Sequence, residues 1–444
     1  MNLIEDRIRA AARAAAETVA PYSVPPLELP AEHPRGGGWR RRWLVPAAAA
    51  AAVVIVIAVT AVTVGPATRT QAPAIAPAAT APGPMLPGPS LASYVSSGMI
   101  PPYFVAVTFT GEAAQSPAVA VVHDTVSGHA LATIRPSIRS GTIVGVSAAG
   151  DDRTFVLDEQ TWVKSKYPFP TAGYSGPHSF YLLRLSSAGR VSSLGRLRVT
   201  VPATQVLRAF ALSPDGYRLA LAVQPRKGPA RTNLEVVTLS TGSTRVWSAA
   251  GIFRSGAADS RGLSWTADGR ELAFEWQANN VGEFPGVEAR LLNLTSAGGD
   301  LLAASRRVIA TNRQFKPSGS TFQVTDAENE PVVTPDGSAI VTNSVYFQVK
   351  TKDSGKAWNG RYGFAEYSTR TGKLVRILGY WTIKPAGYFF TQVLWSSPSG
   401  RVLIGIIPDG RMGVINGNEF TPLNVPPVPG IIMDIGLGAG AGAW

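Results

Sequence analysis

Ser213-Pro214-Asp215-Gly216, Thr266-Ala267-Asp268-Gly269, Thr334-Pro335-Asp336-Gly337 and Ser397-Pro398-Ser399-Gly400 repeat one short pattern, with a degenerate copy at Ser147-Ala148-Ala149-Gly150. Each copy lies between two apolar runs, as with Ala209-Phe210-Ala211-Leu212 before the first and Leu219-Ala220-Leu221-Ala222-Val223 after it. An Asp or Ser side chain can bond backbone groups inside such a turn, and Gly accepts positive φ at no steric cost. Every copy therefore predicts two antiparallel strands joined tightly. The copies start 66, 53, 68 and 63 positions apart. That spacing holds four strands and an insertion, the content of one propeller blade.

Outward from the turns, the chain divides into such quartets. Thr142 to Val146, Thr154 to Leu157, Phe180 to Leu185 and Val191 to Leu197 form one, and Val206 to Leu212, Arg218 to Val223, Leu234 to Leu239 and Thr244 to Ser248 form the next. Comparable quartets start near Gly262, Pro331 and Gln392, and residues 103–134 supply three strands of a further unit. The reading is an all-β, six-bladed propeller over 100–435, with seven blades as the alternative count. The incomplete first unit is expected to be closed by Ile431 to Ile435, which would remove exposed sheet edges. The turn followed by Arg218-Leu219-Ala220 or by Arg270-Glu271-Leu272-Ala273 resembles the TolB-like, WD-repeat-like propeller repeat over about 100–425. That resemblance implies the fold and leaves the activity open.

Composition narrows the chemistry. The 444 residues are 45% apolar, enough for a large packed domain, and contain no cysteine, which excludes disulfides, thiol nucleophiles and thiolate metal sites. The net charge of +12 arises from only 16% charged residues rather than a dense basic tract, so a nucleic-acid partner is not expected.

Trp43 to Val64 carries no charge, and its 22 residues at helical rise cover about 30 Å of hydrocarbon, which predicts one transmembrane helix. Arg35, Arg40, Arg41 and Arg42 crowd its N-terminal side and only Arg69 lies near the other, so residues 1–42 are placed in the cytoplasm and the propeller outside. The 42-residue leader is long for a cleaved signal peptide. Arg40-Arg41-Arg42-Trp43-Leu44 resembles a twin-arginine export signal, but a topogenic basic cluster is the favoured reading. Before the span, Ile4, Ile8, Ala11, Ala12, Ala15 and Val19 recur at helical spacing and predict a short cytoplasmic amphipathic helix over 1–20, followed by a Pro/Gly/Arg linker over 21–42. After it, 65–99 reads as a Pro/Ala-rich extracytoplasmic stalk, and 436–444 as a Gly/Ala tail. This layout, with Ile4-Glu5-Asp6-Arg7-Ile8-Arg9-Ala10-Ala11, resembles actinobacterial membrane-anchored propeller proteins, some of which accompany extracytoplasmic-function sigma factors. With no Cys, a zinc-binding anti-sigma domain is excluded.

Strand order sorts the loops. With strands lettered A to D, the A–B and C–D turns share one end of the ring, and the B–C and D–A connections share the other. Long insertions fall in the second class. Three B–C loops are basic and aromatic: Trp162 with Lys164 and Lys166, then Arg226 with Lys227, then Lys350 and Lys352 with Trp358. Cations beside aromatic bodies suit anionic ligands, so these eight residues are the expected binding site for an extracytoplasmic protein or an anionic wall polymer. His123, His129 and His178 show no metal-ligand spacing, and Gly173-Tyr174-Ser175-Gly176 lacks the second glycine of a nucleophile elbow. No metal or cofactor is expected.

The function expected from sequence is a non-enzymatic, membrane-anchored binding or sensory module. Two alternatives stand beside it. One is a zinc-free transmembrane regulator acting on a cytoplasmic partner through residues 1–20. The other is a propeller hydrolase with a channel-centred site.

Overall fold

The computed structural model describes residues 86–109, 117–162, 174–253, 262–277, 287–311, 321–324, 331–348, 359–383, 392–397, 402–406, 411–424 and 442–443. The predicted cytoplasmic helix, linker and membrane span lie outside these residues. Among the described residues no helix is long and apolar enough to cross a membrane.

Strand β1 (Leu86–Pro87) and helix α1 (Leu91–Ser96) come first. Blade one contains β2 (Tyr103–Phe109), β3 (Ala118–Asp124) and β4 (Ala130–Ile134). Blade two contains β5 (Gly141–Ala148), β6 (Thr154–Trp162), β7 (Tyr174–Leu185) and β8 (Val191–Val201). Blade three contains β9 (Gln205–Leu212), β10 (Arg218–Pro225), β11 (Arg231–Thr238) and β12 (Thr244–Ala250). In blade four the inner strand is split into β13 (Ile252–Phe253) and β14 (Leu263–Trp265), followed by β15 (Glu271–Gln277) and β16 (Val287–Asn293). The short β17 (Gly299–Asp300) then adds in parallel to the outer edge of blade three, and β18 (Ser305–Thr311) completes blade four. Blade five is likewise split inside, with β19 (Thr321–Val324) and β20 (Val332–Val333), then β21 (Ala339–Gln348), β22 (Asn359–Ser368) and β23 (Leu374–Ile383). Blade six contains β24 (Gln392–Ser396), β25 (Val402–Ile406), β26 (Met412–Asn416) and β27 (Glu419–Pro422), and β28 (Gly442–Ala443) ends the series.

Each sheet is an antiparallel meander from its inner to its outer strand, and the inner strands neighbour one another in the order β28, β5, β9, β14, β20, β24 and back to β28. The ring is closed and six-bladed. Gly442–Ala443 pairs with Ala106 and Val105 and closes it, and Ile431 to Ile435, expected in that role, lie outside the described residues. Part of the Gly/Ala tail thus belongs to the ring. The end of the expected stalk also joins it, because β1 pairs in parallel with β27 and α1 buries Leu91 and Tyr94.

Alternation along each second strand explains the core. Phe155 and Leu157 point toward blade one, Val156 toward blade three, and the same rule places Leu219 and Leu221 against blade two and Leu272, Phe274 and Trp276 against blade three. The core therefore fills the six seams. Fully burying each such side chain is worth about 1.5–3 kcal/mol. Polar staples add register between blades: Arg245 Nη1 donates to the Leu294 carbonyl at 2.6 Å, and Arg306 makes the same kind of bond to the Thr369 carbonyl.

Three of the recurrent turns behave as the sequence predicts, while Pro398, Ser399 and Gly400 of the fourth lie outside the described residues. Gly216, Gly269 and Gly337 have φ of 72°, 63° and 72°. In the second of these turns Thr266 Oγ1 donates to Asp268 Oδ1 at 2.7 Å, while Arg270 N and Glu271 N donate to Asp268 Oδ1 and Thr266 Oγ1 at 3.0 and 3.1 Å. The degenerate copy is shifted from its expected place. Ala149 N bonds the Thr154 carbonyl as Ser213 N bonds that of Arg218, so the turn is Ala149-Gly150-Asp151-Asp152, and Asp152 takes the left-handed position with φ 58°. Asp tolerates that conformation better than most side chains, which hides the turn from a search for glycine. Burial, and then the charge of Asp151, push the Asp152 carboxyl up to about 6.

Replacing Asp152 with Gly should stabilise the full chain by about 1 kcal/mol through relief of the left-handed strain. A second gain depends on pH. Below about pH 4 the carboxyl is protonated in both folded and unfolded states, and stability falls as pH rises toward 6 because only the unfolded chain ionises readily. Urea midpoints of wild type and Asp152→Gly should therefore diverge between pH 4 and 6. Curves that stay parallel would refute the assignment of Asp152.

Candidate active site at the seam of blades two and three

Blade two is chemically unlike its neighbours. Asp158, Glu159 and Gln160 follow one another along β6 and are all buried, together with His178 on β7. Their counterparts on β10, matched through the turn hydrogen bonds, are Ala222, Val223 and Gln224. Alternation sends Asp158 and Gln160 toward blade three and Glu159 toward blade one.

Two irregularities bring the histidine to the acid. The β5–β6 ladder bulges between Ile143 and Gly145, and the β6–β7 ladder breaks between Glu159 and Thr161, opposite Gly176-Pro177-His178. Gly176 has φ 109°, and Pro177 has no N–H to give the ladder. Freed from regular pairing, His178 sits 2.8 Å through Nδ1 from Asp158 Oδ2 and 2.7 Å through Nε2 from the Gln160 amide nitrogen. A carboxylate only accepts, so Nδ1 carries the proton and Nε2 presents the lone pair that accepts from Gln160. Asp158 Oδ1 is buried and has no hydrogen-bond partner.

Phe180 and Phe210 meet edge to face across the seam, with ring centroids 5.5 Å apart. Two residues nearer the loop-bearing end, about 6.5 Å of strand, lie His178 on β7 and Arg208 on β9. Arg208 is the extra residue of a bulge opposite Ala222 and Val223. Its Nε donates to Gln224 Oε1 at 2.8 Å, and Gln224 Nε2 donates to Thr232 Oγ1 at 2.7 Å. Thr232 in turn donates to the Gly251 carbonyl at 3.1 Å. Burial lowers the Arg208 guanidinium from its ordinary value. On the opposite seam Glu159 accepts from Ser137 N, Ser137 Oγ and Ile138 N at 3.0, 2.9 and 3.1 Å, which clamps the approach to β5.

Of the residues expected to bind ligand, Arg226 and Lys227 are exposed on the β10–β11 connection, where Arg226 Nε donates to the Ala203 carbonyl at 3.0 Å. Trp162 is the last residue of β6, at the same end of the ring. Lys164, Lys166, Lys350, Lys352 and Trp358 lie outside the described residues. His123 is structural: it is buried, its Nδ1 is 3.0 Å from the Gly128 carbonyl, and it stacks on Phe104 with centroids 4.9 Å apart. No group of three or more His, Asp or Glu able to hold a metal ion occurs among the described residues.

No protein-family model matches the chain, and no curated protein does either. Solved structures do. A periplasmic gluconolactonase from Pseudomonas aeruginosa matches with TM-score 0.38 and 14% identity, over 75% of this chain and 98% of its own. A protein from Bacteroides ovatus assigned as a dipeptidyl aminopeptidase IV matches with TM-score 0.36 and 10% identity, over 74% of this chain and 47% of its own. A Synechocystis apocarotenoid oxygenase matches with TM-score 0.36 and 10% identity, over 73% and 72%. This chain spans less than half the length of the peptidases it matches.

The expectation of a non-enzymatic binding or sensory module is corrected here. The ring buries a histidine–carboxylate pair that spacing along the chain does not reveal, and a reading without catalytic residues left that pair out.

Proposed function

We propose that the chain is a propeller hydrolase whose reaction centre lies at the loop-bearing end of the seam between blades two and three, acting on an ester or lactone carbonyl. The observation that carries this reading is the buried Asp158–His178 pair, with its tautomer fixed and one carboxylate oxygen unpartnered. When the Gln160 amide gives way to a water molecule, Nε2 takes the water proton while the oxygen attacks the carbonyl carbon. Asp158 stabilises the imidazolium, which then returns the proton to the departing alkoxide oxygen as the C–O bond breaks. Arg226 and Lys227, exposed on the β10–β11 connection, would draw anionic substrates toward it. The test screens the full chain against a panel of lactones and activated esters. Turnover with an acid limb in kcat/KM is expected, and Asp158→Asn should weaken it. A panel wholly untouched would overturn the reading.

The likeness to TolB-like repeats and the anchored layout belong to the same proposal, with Trp43 to Val64 holding the ring outside the membrane. It rests on the arginine asymmetry. Cysteines placed at Ser23 and Ser255 should separate under an impermeant maleimide on intact cells, with only the second reacting. Labelling at Ser23 would reverse the topology.

A further inference from the structure

The seam between blades six and one is built unlike the other five. Among the described residues its inner closure is the two-residue strand β28, paired with Val105 and Ala106 of β2. Its apolar core takes Leu91, Tyr94 and Ile100 from the segment before blade one and packs them on Phe104 and Ala106 of blade one and on Val402, Ile404, Val414 and Leu423 of blade six. The other five cores are made of blade residues and their connections. Polar contacts fix the same segment to blade six. Gly88 N donates to the Phe420 carbonyl at 3.4 Å, and Thr421 Oγ1 donates to the Pro89 carbonyl at 2.8 Å. A Cβ on Gly88 would lie 2.5 Å from Thr421 Oγ1, so the approach depends on glycine. Ser90 caps α1 by accepting from Ser93 N at 3.2 Å. Across the seam, Asn424 Nδ2 donates to the Val126 carbonyl at 2.9 Å.

We propose that residues 86–100 form a clasp on the ring, a device whose release opens the seam between blades six and one while the other seams stay shut. The chain enters the propeller through this clasp. Load or cleavage on its N-terminal side therefore acts first on β1 and α1, and through them on the seam that β28 closes. A two-residue closing strand without the clasp leaves β2 and β25 to separate locally, at a cost well below that of global unfolding.

Hydrogen exchange of the full chain tests this, comparing wild type with Leu91→Ala/Tyr94→Ala. Amides of β2, β25 and β26 should exchange about tenfold faster in the variant, and those of β10 and β15 at the wild-type rate. Thr421→Val removes only the bond to the Pro89 carbonyl and leaves the core intact. It should raise exchange in the same strands to a smaller degree, and it serves if the double variant fails to fold. Seam strands that exchange as in wild type, or all six blades accelerating alike, would overturn the clasp.

Discussion

His178→Leu should lower the stability of the full chain by about 3–5 kcal/mol at neutral pH, because it leaves the Asp158 carboxylate buried with no donor. Both Asp158 oxygens would then lie unpartnered beside Val156 and Phe180. The double variant His178→Leu/Asp158→Leu should recover most of the loss, since apolar residues of similar volume replace a buried pair at little net cost. Urea unfolding of the wild type, both singles and the double, at pH 7, completes the cycle. A single-variant penalty below about 1 kcal/mol would show that the pair is solvated rather than buried.

Trp247→Ala should cost about 3–5 kcal/mol, the range for deleting a large aromatic side chain from a core. Trp247 is fully buried in the seam of blades three and four, its Nε1 donates to Ser296 Oγ at 2.9 Å, and Arg245 lies 5.7 Å from its ring. The substitution removes packing, the indole N–H given to Ser296 Oγ and the ring face near Arg245. Val246→Ala, one residue away and facing solvent, is the control and should change stability by less than about 0.5 kcal/mol. Equal losses at the two positions would contradict the assignment of alternate faces on β12.

The fold was largely legible because its decisive signals are local. An Asp-Gly turn between apolar runs states a hairpin wherever it occurs, and three of them with two looser copies at similar spacing state a ring. The misplaced copy shows the limit of that signal, since Asp152 does the work of glycine and moves the turn by two residues. Closure was legible as a requirement but not as a location. Gly442–Ala443 has no strand pattern, and it pairs because the open edge of β2 needs a partner rather than because its residues favour extended structure.

The candidate site was hidden for a different reason. Asp158 and His178 are 20 residues apart and meet only because the Gly176-Pro177 break takes β7 out of register beside Gln160. Gly-Pro immediately before a histidine, inside an otherwise regular strand, was the available signal. Asp158 and Glu159 are adjacent in sequence. In the fold they face opposite seams, where one orients a histidine and the other clamps a loop. Of the basic and aromatic loops that drew attention in the sequence, the described one carries Arg226 and Lys227 on the β10–β11 connection, apart from the buried pair itself.

The most direct test is kcat/KM of the full chain on its best panel substrate, for wild type against His178→Asn. The asparagine amide can still donate to Asp158, so the fold is kept while the basic nitrogen is lost. Removal of a general base predicts a loss of about 10²–10⁴-fold. A variant that retains wild-type kcat/KM would contradict the assignment of His178 as the base and return the buried pair to a purely structural role.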